Sequence, residues 1–264
     1  PIIDSKIIFS WNALTIRGLV DSYKSTKDPI FLNKALLINS SLSKIMIENN
    51  VIRHTSSSPA KVLFFEDYSY YIDALIGLYE ITFDEKYLQL ADEMVVFSNE
   101  KFKEESGFYR FSTNQESLFA DTLINLQDGV IPSANSVMNF NLFRLGHFNG
   151  NKDYLSHSKI MINNVSETIK ERVTDHLLWL NNSHNYSQKF YEIAISGNNA
   201  IAKAEEIMEE YLPNVLIAAS EKVSNLYLLK DRYFKDETYI YVCVDNTCKF
   251  PVTTVPKALN LMKN

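Results

Sequence analysis

The sequence predicts a mainly α-helical chain of repeated helical hairpins, followed by a small α/β element. Three observations carry this. A short segment recurs three times in one frame. An amphipathic run precedes each copy. After residue 185 the pattern changes to short β-like runs around one helix.

The recurring segments are "STKDPIFLNKAL", "TFDEKYLQLAD" and "NGNKDYLSHSK", anchored on Leu32, Leu88 and Leu155. The residue before each anchor is aromatic: Phe31, Tyr87 and Tyr154. Four before it stands Asp28, Asp84 or Asn151, which suits the start of a helix because a short side-chain oxygen can accept a free backbone N–H. Three after it stands a small residue: Ala35, Ala91 or Ser158. In the first two copies apolar residues continue at helical spacing, through Leu36, Leu42, Ile45 and Met46, and through Leu90, Met94 and Val95. The preceding amphipathic runs span about Trp11 to Tyr23, Tyr68 to Ile81 and Asn135 to Phe148. The unit is therefore helix, short turn, helix. Repeated units of this kind form a solenoid or a ring closed on itself.

The C-terminal part reads as strand, helix, strand. "FYEIAIS" and "NVLIAAS" flank the helical "NNAIAKAEEIMEEYL", "TYIYVCV" is a further strand, and "KALNLM" ends the chain as a helix. That order suggests a small βαβ element. The expected division is 1–185 for the hairpins and 186–264 for the α/β element.

Bulk properties exclude several function classes. The 264 residues are 46% hydrophobic, enough for a sizeable core, and the net charge is -6. There is no long basic run, so nucleic acid and anionic membrane surfaces are poor partners. Nothing approaches the length of a membrane span or a signal peptide, so the chain reads as cytoplasmic. Its abrupt start suggests the C-terminal part of something longer. Two cysteines, Cys243 and Cys248, are too few for a disulfide framework. Their spacing matches no known redox motif, which favours a reduced structural pair over a redox pair.

Twenty-one residues before the anchors stand Trp11, Asp67 and Ala134, in "FSWNAL", "FEDYSY" and "IPSANS". Each lies at the start of the first helix of its hairpin, so stacking would gather the three at one mouth. There, free helix N–H groups could bind ligand oxygens. Trp11 and Tyr68 could offer flat faces to a sugar ring, and Asn12, Asn135, Ser133 and Ser136 could hydrogen-bond hydroxyls. Glu66, Asp67 and Asp128 could supply carboxylates, with Asp67 as general acid or base and Asp128 as its partner. The competing reading makes Ser10, Asp67 and Ser133 helix caps and Trp11 a core residue. The histidines, His54, His147, His157, His176 and His184, show no helix-face metal spacing and suit surface or capping roles. His54 lies in a loop leading to the second motif and could approach the mouth. No metal or cofactor is expected.

"DSKIIFSWNAL", "FEDYSYYIDALIGLYE", "DGVIPSANSV" and "YVCVDNTCKFPV", in that order, resemble the C-terminal region of the thioredoxin-domain-containing proteins of the spermatogenesis-associated type. The resemblance covers nearly the whole chain. It implies an (α/α) helical-hairpin toroid, incomplete here, like the six-hairpin glycosidases and N-acylglucosamine 2-epimerase. It implies a carbohydrate-active domain, glycosidase- or epimerase-like, with a small-molecule carbohydrate and an N-terminal thioredoxin-like domain as partners. The alternative it implies is a non-enzymatic binding or scaffold module serving that thioredoxin domain. By position it points to Trp11, Asn12, Asp67, Tyr68, Asp128, Gly129, Pro132, Ser133, Asn135, Ser136, Cys243 and Cys248. The sequence departs from the pattern in three places. Ala13 and Ala134 stand where members commonly have Gly, which would narrow the mouth, and Glu66 stands where they have a second Asp. There is no counterpart of the histidine pair that epimerases use for proton transfer.

Overall fold

A computed structural model describes residues 5–57, 59, 61–113, 123–244 and 247–263. The predicted hairpins are present. The first joins α1 (Phe9–Thr26) to α2 (Pro29–Met46), the second α3 (Phe65–Thr82) to α4 (Lys86–Phe102), and the third α5 (Ala134–Asn149) to α6 (Lys152–Glu171). The turns are built by the residues the repeat marks. Asp28 Oδ1 accepts the Ile30 N–H, Asp84 Oδ1 accepts that of Lys86, and Asn151 Oδ1 accepts those of Asp153 and Tyr154. The small residues Ala35, Ala91 and Ser158 are all fully buried. The frame in the sequence is thus a packing frame.

The chain divides into two compact units. One comprises 1–142 and 157–179, the other 143–156 and 180–264. In the first, α3 is the central helix. It is apolar nearly all round, as a helix covered on several sides must be, and it packs on α1 and α4. Gly77 permits the close approach of α1: a Cβ there would lie 3.1 Å from Arg17 Nη1 and 3.3 Å from Val20 Cγ1. Arg17 pairs with Asp21, Asp73 and Glu80 along this seam, and Lys24 also reaches Glu80. After the first and second hairpins the chain returns to the N-terminal end of the hairpin's first helix. The His54 carbonyl accepts the Phe9 N–H, and the Phe111 carbonyl accepts that of Phe65. These return segments bring loop residues to the helix starts.

The second unit holds a four-stranded sheet of order β4-β3-β5-β6, from β3 (Tyr191–Ser196), β4 (Val215–Ser220), β5 (Tyr239–Val244) and β6 (Thr247–Cys248). β3 and β4 are parallel and joined through α8 (Ala200–Ile207), the expected βαβ unit, while β5 lies antiparallel to β3. Every residue of β3 is buried, as suits a central strand, including Glu192 and Ser196 among its apolar residues. The unit also contains α7 residues from 180 onward (Leu177–Ser187) and α9 (Val255–Met262). Among the described residues no helix is long and apolar enough to cross a membrane.

Candidate functional site

The starts of α1, α3 and α5 meet, as the common phase of the three motifs requires, and α3 makes the junction. Toward α1, Asp67 Oδ1 accepts the backbone N–H of Ser10 at 3.0 Å, and Glu66 Oε1 accepts the Ser10 hydroxyl at 3.0 Å. Toward α5, the Ser69 hydroxyl donates to the Ala134 carbonyl and the Tyr70 hydroxyl to that of Pro132, each at 2.6 Å. Asp67 therefore sits at the start of one helix and caps another. Its carboxylate satisfies a free N–H of α1 at the positive end of that helix.

His54 is the residue that changes the chemistry of this rim. The return segment after the first hairpin places its Nδ1 at 3.0 and 3.2 Å from the two Asp67 carboxylate oxygens. Asp67 is fully buried, whereas the His54 side chain keeps about a quarter of its surface exposed. The hydrogen bond to Asp67 pushes the His54 imidazole above its ordinary value, against a smaller opposing effect of burial. Burial pushes the Asp67 carboxyl up, and the bonds from His54 and Ser10 oppose it. With Nδ1 committed to the carboxylate, Nε2 is the nitrogen through which His54 can exchange a proton. His54, Glu66 and Asp67 present possible ligand atoms within 4.8 Å of one another, a set compatible with a metal ion. Coordination through His54 Nδ1 would displace its hydrogen bond to Asp67.

Glu66 also lines a cavity of about 200 Å³ beside Tyr70, Phe111, Asn125, Gln127 and Asn135. The side chains of "DGVIPSANSV" mostly hold their own loop in place. Ser133 Oγ accepts the N–H groups of Asn135 and Ser136 and is the cap of α5. Asn135 receives the Tyr109 N–H on Oδ1 and donates to the Tyr109 and Asn125 carbonyls. Asp128 Oδ1 accepts from the Ser133 N–H and the Ser136 hydroxyl, and Oδ2 accepts from the Leu178 N–H.

Several sequence-based roles change accordingly. Asp128 has both oxygens occupied by donors of its own loop and of α7, so it anchors the loop. Tyr68 is fully buried, stacked on Phe97 and bonded through its hydroxyl to Ile52 N and the Asn50 carbonyl, and offers no face to a ligand. Trp11 is not core: 62% of its surface is exposed. It does not line the cavity. Asn12 donates to the Ile8 carbonyl within its own helix. Ala13 is fully buried, away from the mouth, whereas Ala134 does line the cavity. His157 and His176 are buried rather than surface residues, bonded to the Gly107 and Arg172 carbonyls. Phe111, Asn125 and Gln127 escaped the sequence reading because they lie in return segments, outside the helical frame. The polar "NLQD" before Gly129 is the signal that marks two of them.

The cysteines depart furthest from expectation. Cys243 and Cys248 are joined as a disulfide, directly opposite each other on β5 and β6, so the reduced pair is not what forms. The same unit holds a second histidine–carboxylate pair, His147 Nδ1 at 2.7 Å from Glu192 Oε1, on the wall of a cavity of about 240 Å³.

The helical hairpins have the (α/α) toroid architecture of the six-hairpin glycosidases, and solved structures carry the same fold. The GH76 alpha-mannanase of Bacteroides thetaiotaomicron superposes with a TM-score of 0.51 at 18% identity, over 63% of this chain and 46% of that one. An inactive variant of the alpha-1,6-mannanase GH76A of Salegentibacter sp. HEL1_6, with two adjacent aspartates replaced and alpha-1,6-mannotetrose bound, superposes with a TM-score of 0.53 at 15% identity, over 60% and 47%. In sequence, the chain is similar to Spermatogenesis-associated protein 20 of Homo sapiens, 25% identical over 279 residues, covering 96% of this chain and 35% of that protein. It is likewise similar to the Mus musculus protein of that name, 25% identical over 277 residues, covering 95% and 35%. The resemblance read from the sequence therefore holds across nearly the whole chain, which spans about a third of the length of these relatives. No protein-family model matches it.

Proposed function

We propose that the hairpin unit binds a carbohydrate in the cavity between the starts of α3 and α5, with Glu66 as the general acid–base group and the His54–Asp67 pair as the proton reservoir beside it. One observation carries this reading. Glu66 is at once part of the acid–histidine cluster and part of the cavity wall. Asp67 keeps the His54 ring oriented through Nδ1, as a carboxylate does for a working histidine. The cavity suits a single sugar ring rather than a larger ligand, being smaller than the 300–1,000 Å³ typical of drug-sized sites. Asn125 and Gln127 supply amide groups around it, and the Tyr70 hydroxyl, which donates to the Pro132 carbonyl, can still accept a hydrogen bond. The inactive mannanase variant supplies an analogy only in type: two adjacent aspartates are replaced in it, and Glu66 and Asp67 are adjacent acids in this chain. These two acids bring oxygens within 4.8 Å of each other, closer than the 6.5–9.5 Å that leaves room for a water in an inverting pair.

The test is titration calorimetry of the 264-residue chain with mannose and alpha-1,6-linked mannose oligosaccharides, with turnover followed by product analysis. Glu66→Gln is expected to keep binding and lose at least about a hundredfold in turnover, the scale of a lost general acid–base group. If the parent chain binds none of these sugars, the reading fails. A non-catalytic version is favoured by one observation: Asp67, Asp128 and Asn135 are fully engaged in holding the rim. Sugar binding without turnover in the parent would select that version.

A further inference from the structure

The disulfide of the second unit has surroundings that a simple staple does not need. Cys243 is buried and Cys248 is exposed. The Arg232 guanidinium reaches both sulfurs, Nη1 at 3.7 Å from Cys243 Sγ and Nη2 at 3.3 Å from Cys248 Sγ. It is held there by stacking on Tyr241, with Cζ 4.7 Å from the ring centroid. Tyr241 and Cys243 are two residues apart on β5 and share a face, and the residue paired with Cys243 across the sheet is Glu192. A neutral disulfide gains little from a cation at its sulfurs. A thiolate gains a great deal, because the thiolate is the charged form that a neighbouring guanidinium favours.

We propose that the Cys243–Cys248 bond is a thiol–disulfide exchange site for a dithiol substrate, entered at the exposed Cys248, with Arg232 receiving the Cys243 thiolate as it leaves. The step balances. A substrate thiolate attacks Cys248 Sγ and forms a mixed disulfide. The Cys243–Cys248 bond breaks, and its electron pair goes to Cys243 Sγ beside Arg232. The second substrate thiol, once deprotonated, attacks its own sulfur in the mixed disulfide and releases Cys248. The substrate is oxidised to a disulfide and the chain is reduced by two electrons. The two substrate protons end on Cys243 and Cys248. Attack at Cys248 is favoured because it is the accessible sulfur, which makes Cys243 the leaving group; Arg232 lies within reach of both sulfurs and stabilises the departing thiolate, which speeds its loss.

The titratable groups acting on Arg232 are Tyr241, Glu192 and Tyr227, Glu192 being also the residue opposite Cys243 on β3, and Lys249 follows Cys248 in the chain. The test uses the oxidised 264-residue chain with dithiothreitol as the dithiol, followed by alkylation and mass spectrometry. The bond is expected to reduce while circular dichroism is unchanged. Arg232→Met is expected to slow reduction about tenfold and to move the alkylation profile of the released thiol to higher pH, with Arg232→Lys restoring most of both. Single-cysteine variants give an independent readout. With glutathione disulfide, Cys243→Ser is expected to form a mixed disulfide on Cys248 at least about tenfold faster than Cys248→Ser forms one on Cys243. A bond that dithiothreitol reduces only in the unfolded chain would overturn the proposal. So would equal reduction rates and pH profiles for the parent and Arg232→Met.

Discussion

Both units contain a histidine whose Nδ1 meets a carboxylate, yet the two pairs are built differently. In the hairpin unit His54 comes from a return loop and Asp67 from the start of α3. The carboxylate also holds the first turn of α1 through Ser10 N. In the sheet unit His147 lies late in α5 and Glu192 on the central strand β3, and the ring packs against Phe143 and Phe190. Asp67 faces a helix start, and Glu192 faces Arg232 and the disulfide. The same two side chains thus serve different ends. In one case the carboxylate is part of the backbone hydrogen-bonding of the fold. In the other it belongs to a charged cluster of side chains.

That contrast can be broken by substitution. Asp67→Ala strands both the Ser10 N–H and His54, and is expected to cost about 3–5 kcal/mol in urea unfolding, the scale for removing one partner of a buried pair. Glu192→Ala leaves no backbone N–H of a helix start unpaired and is expected to cost less, about 1–3 kcal/mol. Equal losses would mean that the link to α1 adds nothing. Asp128→Asn tests the anchoring role of the third carboxylate. It keeps the shape but weakens three hydrogen bonds, for an expected loss of about 1–3 kcal/mol.

The pH dependence sharpens the comparison further. The folded chain binds the His54 proton more tightly than the unfolded chain does. Its stabilising contribution is therefore complete below the ordinary histidine value of 6.5 and is lost as the pH rises through the higher folded value. Unfolding free energy measured from pH 6 upward should fall on this account, and His54→Gln should remove that part of the slope. An unchanged slope in the variant would show that His54 does not carry it. The smallest effect is expected at Trp11. Its exposure predicts that Trp11→Ala changes stability by no more than about 0.5 kcal/mol by thermal denaturation. Weaker sugar binding in the same variant would place Trp11 at the ligand even though it lies outside the cavity wall.

The hairpin frame was legible because its signals are local. Asp28, Asp84 and Asn151 each accept an N–H two residues on, and Ala35, Ala91 and Ser158 each recur where a small buried residue is needed. The α1 and α5 starts each bond to that of α3, as equal phase in stacked hairpins leads one to expect, but the three expected residues do not share one mouth: Asn135 lines the cavity, while Asp67 and Trp11 do not. The roles of the residues at the helix starts were less legible. The sequence assigns Tyr68 and Trp11 the same ligand-facing role, yet one is buried and the other exposed, since an aromatic side chain near a helix start reads the same whichever face it takes. The disulfide was missed because two cysteines five apart become neighbours only when the β5–β6 hairpin sets them opposite each other.

The sequence by itself determined the three hairpins, their turns and the β3–α8–β4 unit. All of these follow from periodicity and capping within a few residues of chain. The tertiary structure alone decided that His54 meets Asp67, that Asp128 is consumed by its own loop and α7, and that Arg232 lies against the disulfide. Each of these depends on where a loop returns after many residues. A hydrogen-bond donor in the sequence states what it can bind, and only the folded path of the chain states which acceptor comes within reach.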